Sequence, residues 1–266
     1  FVDIEASTYN IDVDQLESAI TPKTKAIMPV SLFGQMPDLG RINAIAEKHG
    51  IPVIEDAAQS FGATQHGRRS CSISSIASTS FFPAKPFGCF GDGGALFTND
   101  DELAEKMKTV RNHGGKMRHH HTMVGMNGRF DTLQAAVLLG KFPSFEKEVA
   151  TRNALGARYS EALRNHCQIP AIHPGNTHVY AQYTIRSSNR DELAAKLKES
   201  SVPTAVYYPK CLHEQPVFEP LGYTYGSFPV AEMASREVLS LPMHPFLSEG
   251  DQDKVVASVI EASESI

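Results

Sequence analysis

Long apolar runs, a cysteine framework, an excess of basic charge and internal repeats are all missing from this chain of 266 residues. No run approaches the roughly 18–20 apolar residues that a membrane helix needs, and no basic-then-apolar signal segment opens the sequence. We therefore expect no membrane partner. The 4 cysteines (Cys71, Cys89, Cys167 and Cys211) are scattered with no Cys-x-x-Cys pair, the pattern of reduced thiols in a cytoplasmic protein rather than of a disulfide scaffold. Lys and Arg number 25 against 30 Asp and Glu, a net charge of −5. That balance gives no electrostatic basis for general nucleic-acid binding, although it leaves room for a local basic pocket for phosphate. Without repeats a solenoid is excluded. A composition of 41% hydrophobic and 21% charged residues excludes disorder, collagen and coiled coil as whole-chain classes. The first residue is Phe1, and Phe1-Val2-Asp3-Ile4 already reads as a strand, so we expect further sequence upstream.

What is present is alternation. Lys25–Val30 reads as a strand, and Pro37–His49 carries Leu39, Ile42, Ile45 and Ala46 at helical spacing before Gly50, a helix with a C-terminal stop. Ile51–Asp56 reads as a buried strand ending in a carboxylate. Ser78–Phe82 and Gly94–Thr98 read as strands, and Asp100–Asn112 as a helix. Such alternation predicts an α/β layer with a largely parallel sheet. A long helix is expected over Asp131–Asn165, bent near Pro143, because proline removes a backbone donor and clashes with the preceding turn. Beyond Pro170 we expect a strand over Val179–Ile185, a helix over Arg190–Ser200, a strand over Thr204–Tyr208, and helices from about Val230 and Gln252. The expected organisation is a large α/β domain over 1–140, a connecting helix over 141–170, and a smaller α+β domain over 171–266.

Ligands of open α/β sheets sit beyond the carboxyl ends of the strands, where Asp56 and the loop after Phe82 both fall. Lys85 stands between Pro83 and Pro86, ahead of the glycine-rich Gly88–Gly94 stretch. It is thus held on a stiff loop whose backbone can approach a ligand closely. Alone, Lys85 reads equally as a solvated surface lysine, and Asp56 as a helix cap. Together with Ser80 they match the needs of pyridoxal 5'-phosphate. An aldehyde requires an amine nucleophile of lowered pKa, a protonated ring nitrogen requires a carboxylate, and a phosphate requires hydroxyl and backbone donors.

Several segments in fixed order then extend the pattern: Ser31-Leu32-Phe33-Gly34-Gln35, Ile54-Glu55-Asp56-Ala57-Ala58-Gln59-Ser60, Ser80-Phe81-Phe82-Pro83-Ala84-Lys85, Gly91-Asp92-Gly93-Gly94, Arg111-Asn112-His113-Gly114, Gly125–Ala136 and Leu241-Pro242-Met243-His244-Pro245. Over nearly its whole length the chain resembles the DegT–StrS sugar aminotransferases. The resemblance implies a fold-type I large domain, N-terminally truncated here, with a smaller C-terminal domain, and a cytoplasmic transaminase. It implies that Lys85 carries the cofactor Schiff base and shuttles the proton, and that Asp56 pairs with the ring nitrogen. It further places Gln59 by the ring, Ala58 against its face, Ser80 on the phosphate, and Asn127 on the phosphate of a neighbouring subunit in a homodimer with shared sites. Arg129 is implied as a substrate contact, or else as an ion-pair partner of Asp131 or a charge at the helix start.

Within the family the likeness is to enzymes acting on UDP-linked 3-keto hexuronic acids, with glutamate as amino donor, in bacterial surface polysaccharide (lipopolysaccharide O-antigen) synthesis. Val202–Pro209 and Val179–Thr184 carry it, with Tyr207 and Tyr208 as substrate residues, although Tyr207 stands where relatives often have histidine. The upstream segment that supplies part of the family's phosphate cradle precedes Phe1. Two other readings stay open: a sugar dehydratase on the same scaffold, against which Lys85 argues because that branch has histidine there, and a non-catalytic regulatory relative. The run His119-His120-His121 is not read as a metal site, because successive residues of an extended chain face opposite ways and no ligand pattern accompanies them.

Overall fold

The structure is a computed structural model describing residues 1–266. Its strands are β1 (Ile54–Asp56), β2 (Thr64–Gln65), β3 (Arg68–Arg69), β4 (Ile76–Ser80), β5 (Gly94–Phe97), β6 (Tyr183–Arg186) and β7 (Val238–Leu241). The helices are α1 (Val13–Leu16), α2 (Leu39–Lys48), α3 (Asp101–Arg111), α4 (Thr132–Leu163), α5 (Arg190–Glu199), α6 (Pro229–Glu237) and α7 (Glu249–Glu264). Oxygen-bearing side chains start several of the helices by accepting from the free first-turn amides. Asp38 accepts from the Arg41 amide at 3.0 Å, Asp100 from those of Glu102 and Leu103 at 2.8 and 3.0 Å, and Ser248 from Asp251 at 3.1 Å.

The sheet that carries the site has the order β1-β4-β5. β1 and β4 pair in parallel with Asp56 opposite Ser78, while β4 and β5 run antiparallel with Ser80 opposite Gly94. The expected strand over Lys25–Val30 is reduced to two parallel bridges, Ile27 to Val53 and Val30 to Asp56. The reason is proline. Pro29 and Pro52 have no amide hydrogen to give, so they serve only as acceptors, from Asp56 and Ile27 at 2.9 and 3.0 Å.

Two further expectations shift, and the long helix keeps its expected extent. β6 begins at Tyr183, because just before it Tyr180 takes a positive φ of 45° with its amide donated to His178 Nδ1 at 2.9 Å. The stretch Thr204–Tyr208 is reduced to the single bridge Ala205 to Ser240, between Pro203 and Pro209, which again lack donors. The long helix continues through Pro143 as one element. The carbonyl that proline leaves unpaired there belongs to Leu139, which lies on the exposed face where water can take its place.

Burial follows the apolar periodicity. One cluster joins Val13, Leu16, Leu39, Ile42 and Ala46 to Ile27 and Val53 beneath the first part of the sheet. Another joins Tyr159 and Leu163 of α4, Tyr183 and Ile185 of β6, Leu193 and Leu197 of α5, Leu239 and Leu241 of β7, and Val255 and Val259 of α7. Between them Phe81, Phe87, Cys89, Leu138 and Phe145 form a third. That small aromatic cluster is what holds the Lys85 loop. No helix is long and apolar enough to cross a membrane.

Candidate active site

At the carboxyl ends of the strands the backbone is laced together. Ser31 donates its amide to the Asp56 carbonyl at 2.9 Å, and Ala57 donates to Ser78 at 2.8 Å. The Thr79 hydroxyl donates to the Ala57 carbonyl at 3.1 Å. The segment Asp56–Gln59 therefore runs beside Thr79–Ser80, fixed on both flanks.

Alternation along β1 sends its two adjacent carboxylates to opposite sides. Glu55 is fully buried. It accepts from the Cys71 amide at 3.0 Å and the Ser70 and Ser31 hydroxyls at 3.2 and 3.4 Å. Burial pushes its carboxyl above the ordinary glutamate range, against the pull of those donors. Asp56 lies on the other, partly open side. Its Oδ1 accepts only from the Ala58 amide at 3.0 Å, and its Oδ2 accepts from no protein donor.

The Lys85 loop is closed at its neck by the Cys89 amide donating to the Phe81 carbonyl at 2.8 Å, and Phe81 donates in turn to Gly93 at 2.8 Å. Inside, the Lys85 amide donates to the Phe82 carbonyl at 2.9 Å, and Phe82 donates to Ser80 Oγ at 3.2 Å. Gly88 has to be glycine for this path, because a Cβ there would stand 2.6 Å from the carbonyl oxygens of both Phe82 and Pro83. Rings pin the loop from below. Phe61, which follows the Asp56 segment, stacks on Phe87 at 5.9 Å and meets Phe81 at 6.1 Å, while Phe87 lies 4.6 Å from Phe145 of α4. Lys141 of α4 adds a hydrogen bond to the Gly88 carbonyl at 2.5 Å.

Lys85 is half-buried and has no ion-pair partner. Burial holds its amine below the usual lysine range, and the Asp56 carboxylate pulls the other way. Gln59 is buried; its Oε1 accepts from the Phe33 amide at 2.6 Å, and its NH2 group lies toward the Tyr208 phenol. Tyr208 comes to the same place from the C-terminal half. Burial raises its phenol, Tyr207 and Asp56 add to the rise, and the Gln59 side chain opposes it.

The structure thus brings together Asp56, Ala58, Gln59, Ser80, Lys85 and, across from them, Tyr208 with its neighbour Tyr207. Asn127 and Arg129 stand apart. Both are exposed on the segment after α3, where the Asn127 backbone bridges to Asn112, and neither side chain makes a hydrogen bond or ion pair within the chain. The Arg129–Asp131 ion pair weighed from the sequence does not form. Glu55 is the residue that sequence reading passed over. Its signal was the strand alternation, which forces one of two neighbouring carboxylates inward.

A half-buried free amine, a carboxylate with one open oxygen, an amide NH2 and a serine hydroxyl with its proton uncommitted, gathered at the carboxyl ends of β1 and β4 and the loop beyond, form a donor set that fits pyridoxal phosphate. All four thiols are unpaired.

Comparison with known proteins gives the family. Residues 1–260 match the model of the DegT/DnrJ/EryC1/StrS aminotransferase family. A Pseudomonas aeruginosa protein described as UDP-2-acetamido-2-deoxy-3-oxo-D-glucuronate aminotransferase is 54% identical over 93% of this chain and 68% of its own length. A Geobacillus stearothermophilus pleiotropic regulatory protein is 49% identical over 98% of this chain and 71% of its own. The crystal structure of a DegT DnrJ EryC1 StrS aminotransferase from Brucella abortus superposes with a TM-score of 0.93 at 44% identity, covering 97% of this chain and 72% of that one. A Bacillus subtilis structure, ntda with bound cofactor PMP, superposes with a TM-score of 0.91 at 32% identity, covering 99% of this chain and 62% of that one.

Proposed function

The chain belongs to the DegT/DnrJ/EryC1/StrS aminotransferase family, and from that premise we propose that it moves the amino group of glutamate to the keto carbon of a UDP-linked 3-keto hexuronic acid. Such a product serves bacterial surface polysaccharide of the O-antigen kind. The sugar assignment draws on the P. aeruginosa relative and on Tyr208, whose phenol stands near Asp56. When bound, pyridoxal phosphate supplies an aldehyde that captures amines and a ring that takes up the electron pair released at the substrate carbon.

The chain's own residues do the rest. Asp56 would keep a proton on the ring nitrogen through its open oxygen. Ser80 Oγ would donate to the phosphate, Gln59 would offer its NH2 along the ring edge, and Ala58 would leave room for the ring face. Lys85 Nζ would hold the cofactor through its aldehyde and, when free, would carry a proton between the substrate carbon and the cofactor. An amine held below its ordinary pKa can be a base near neutral pH. The observation that carries this reading is the half-buried, uncompensated Lys85 amine facing the Asp56 side.

We place the working unit in a homodimer with shared sites. Asn127 and Arg129 are left free by their own chain, and Val124 (95%), Phe90 (80%), Leu133 (76%) and Leu139 (74%) are exposed beside the site loops, more bare apolar surface than a lone chain carries comfortably. We divide the chain into a large domain to 140, a connecting helix to 170 and a small domain beyond. The cytoplasm, where unpaired thiols stay reduced, is the compartment we assign.

The regulatory relative favours a second reading, binding without turnover. One experiment separates them. The chain is loaded with pyridoxal phosphate, reduced with borohydride and digested, and mass spectrometry is expected to find the adduct on Lys85. Glutamate should shift the cofactor spectrum in wild type and fail to do so in Lys85→Ala. An adduct elsewhere, or no response to glutamate, overturns the aminotransferase reading.

A further inference from the structure

The Gln59 side chain has two unlike ends, and only the NH2 end can donate to a cofactor ring. A backbone N–H can meet only the oxygen of a carboxamide. The Phe33 amide, 2.6 Å from Oε1, therefore turns the NH2 end toward Tyr208 and the site. Phe33 itself sits at a φ of 59°, in the left-handed region that a residue other than glycine keeps only when its surroundings hold it there.

The turn Leu32–Gln35 is gripped from two sides. On one, the buried Asn10 accepts from the Leu32 amide at 2.9 Å and donates to the Gln35 carbonyl at 3.1 Å. On the other lie residues 178–182, far along the chain. The Val179 amide donates to the Gly34 carbonyl at 2.9 Å, and that of Gln182 to Phe33 at 3.3 Å. The approach is so close that a Cβ on Gly34 would stand 2.8 Å from the Tyr180 nitrogen and 3.1 Å from His178 Nδ1.

Residues 178–182 make a turn of their own, with Tyr180 also left-handed at a φ of 45°. Its amide donates to His178 Nδ1 at 2.9 Å, and its carbonyl accepts from Arg152 Nη1 of α4 at 2.9 Å. The His178 and Tyr180 rings stack at 4.1 Å. Burial holds the His178 imidazole down at about 3, so Nδ1 keeps its lone pair for that bond near neutral pH.

We propose that His178 is a positioning residue: by closing the 178–182 turn it clamps Phe33, and through the Phe33 amide it sets which end of Gln59 meets the cofactor. Arg152 serves the same turn from its other end. Two left-handed residues that are not glycine, packed turn against turn, carry backbone strain, and such strain gathers where placement of a side chain matters. The role of Gln59 rests on the aminotransferase reading above; the clamp on Phe33 does not.

His178→Phe keeps a ring to stack on Tyr180 but has no acceptor. His178→Asn restores one, because an asparagine Oδ1 stands where Nδ1 does. In the full chain, hydrogen exchange at the Phe33 amide is expected to quicken about tenfold in His178→Phe, the scale of losing one buried hydrogen bond. It should return toward wild type in His178→Asn, with the amides of α7 unchanged in both. In the cofactor-loaded protein the glutamate half-reaction should slow about tenfold in His178→Phe and recover in His178→Asn, the same bond being at stake. It should fall no further when His178→Phe is added to Gln59→Ala, as two residues acting through one contact require. Should His178→Phe fail to fold, Arg152→Met releases the same turn and is read in the same way. A Phe33 amide that exchanges alike in wild type and variant, or losses that multiply in the double variant, overturn the proposal. Exchange that follows the acceptor in a protein indifferent to glutamate leaves the clamp standing and overturns the aminotransferase reading instead, so the two failures are told apart.

Discussion

Glu55→Gln and Glu55→Ala separate what the inward carboxylate does from what its shape does. Between the ordinary glutamate range and its higher folded value, the unfolded chain has already released the Glu55 proton while the folded chain still holds it. The folded state then binds more protons, so this residue's contribution is fully present below the ordinary range and is lost as pH rises through the folded value, with a slope of at most about 1.4 kcal/mol per pH unit. Glutamine cannot titrate. The stability of wild type relative to Glu55→Gln should therefore fall with rising pH across that window and be flat below it. Alanine removes the acceptor altogether. The Ser70 hydroxyl can still pair with Ser60, 2.9 Å away, but the Cys71 amide and the Ser31 hydroxyl are left with no acceptor. An orphaned buried donor costs about 1–3 kcal/mol, and the vacated volume adds to it, so Glu55→Ala should lose about 2–4 kcal/mol. Urea unfolding at half-unit steps from pH 4 to 8 reads both effects. If the wild-type-minus-Gln difference is constant with pH, or alanine costs no more than a surface change of about 0.5 kcal/mol, the buried-carboxylate account is wrong.

Two more outcomes follow from the Lys85 loop. Phe87→Ala empties a ring that touches Phe61, Phe81 and Phe145, and should cost about 3–5 kcal/mol in chemical denaturation, with cofactor affinity falling alongside. Gly88→Ala drives a Cβ toward two carbonyl oxygens, so at equal cofactor loading the glutamate half-reaction should slow tenfold or more because the amine moves; an unchanged rate would show that the loop path does not set its position.

Helices proved more legible in the sequence than strands, and the reason is local. Asp38 with Leu39, Ile42 and Ala46, or Asp100 with its run of good helix formers, specify start, face and stop within a dozen residues. The strands near the site depend on partners far along the chain. Ile51–Asp56 looked like a strand throughout, yet only Ile54–Asp56 forms a ladder, because the neighbour over Lys25–Val30 is interrupted by proline. The antiparallel direction of β5 was not visible either, since nothing in Gly94–Phe97 records which way its neighbour runs. The short β7 passed as part of a Leu-Pro motif, and its pairing with β6 joins residues more than fifty positions apart.

The site divides along the same line. Asp56, Gln59, Ser80 and Lys85 were readable because two neighbouring strand ends and one stiff loop bring them together, and each sits within a few residues of a glycine or proline. Tyr208 was readable only through resemblance; in the structure its phenol shares surroundings with Gln59 and Asp56. Asn127 and Arg129 are a different case. Their side chains meet nothing within one chain, although a network of backbone hydrogen bonds holds their loop in place. Outward, unpaired polar groups on an ordered loop are what the proposed second copy or a substrate anion would need, and it was the family resemblance, not any contact legible within one chain, that pointed to them.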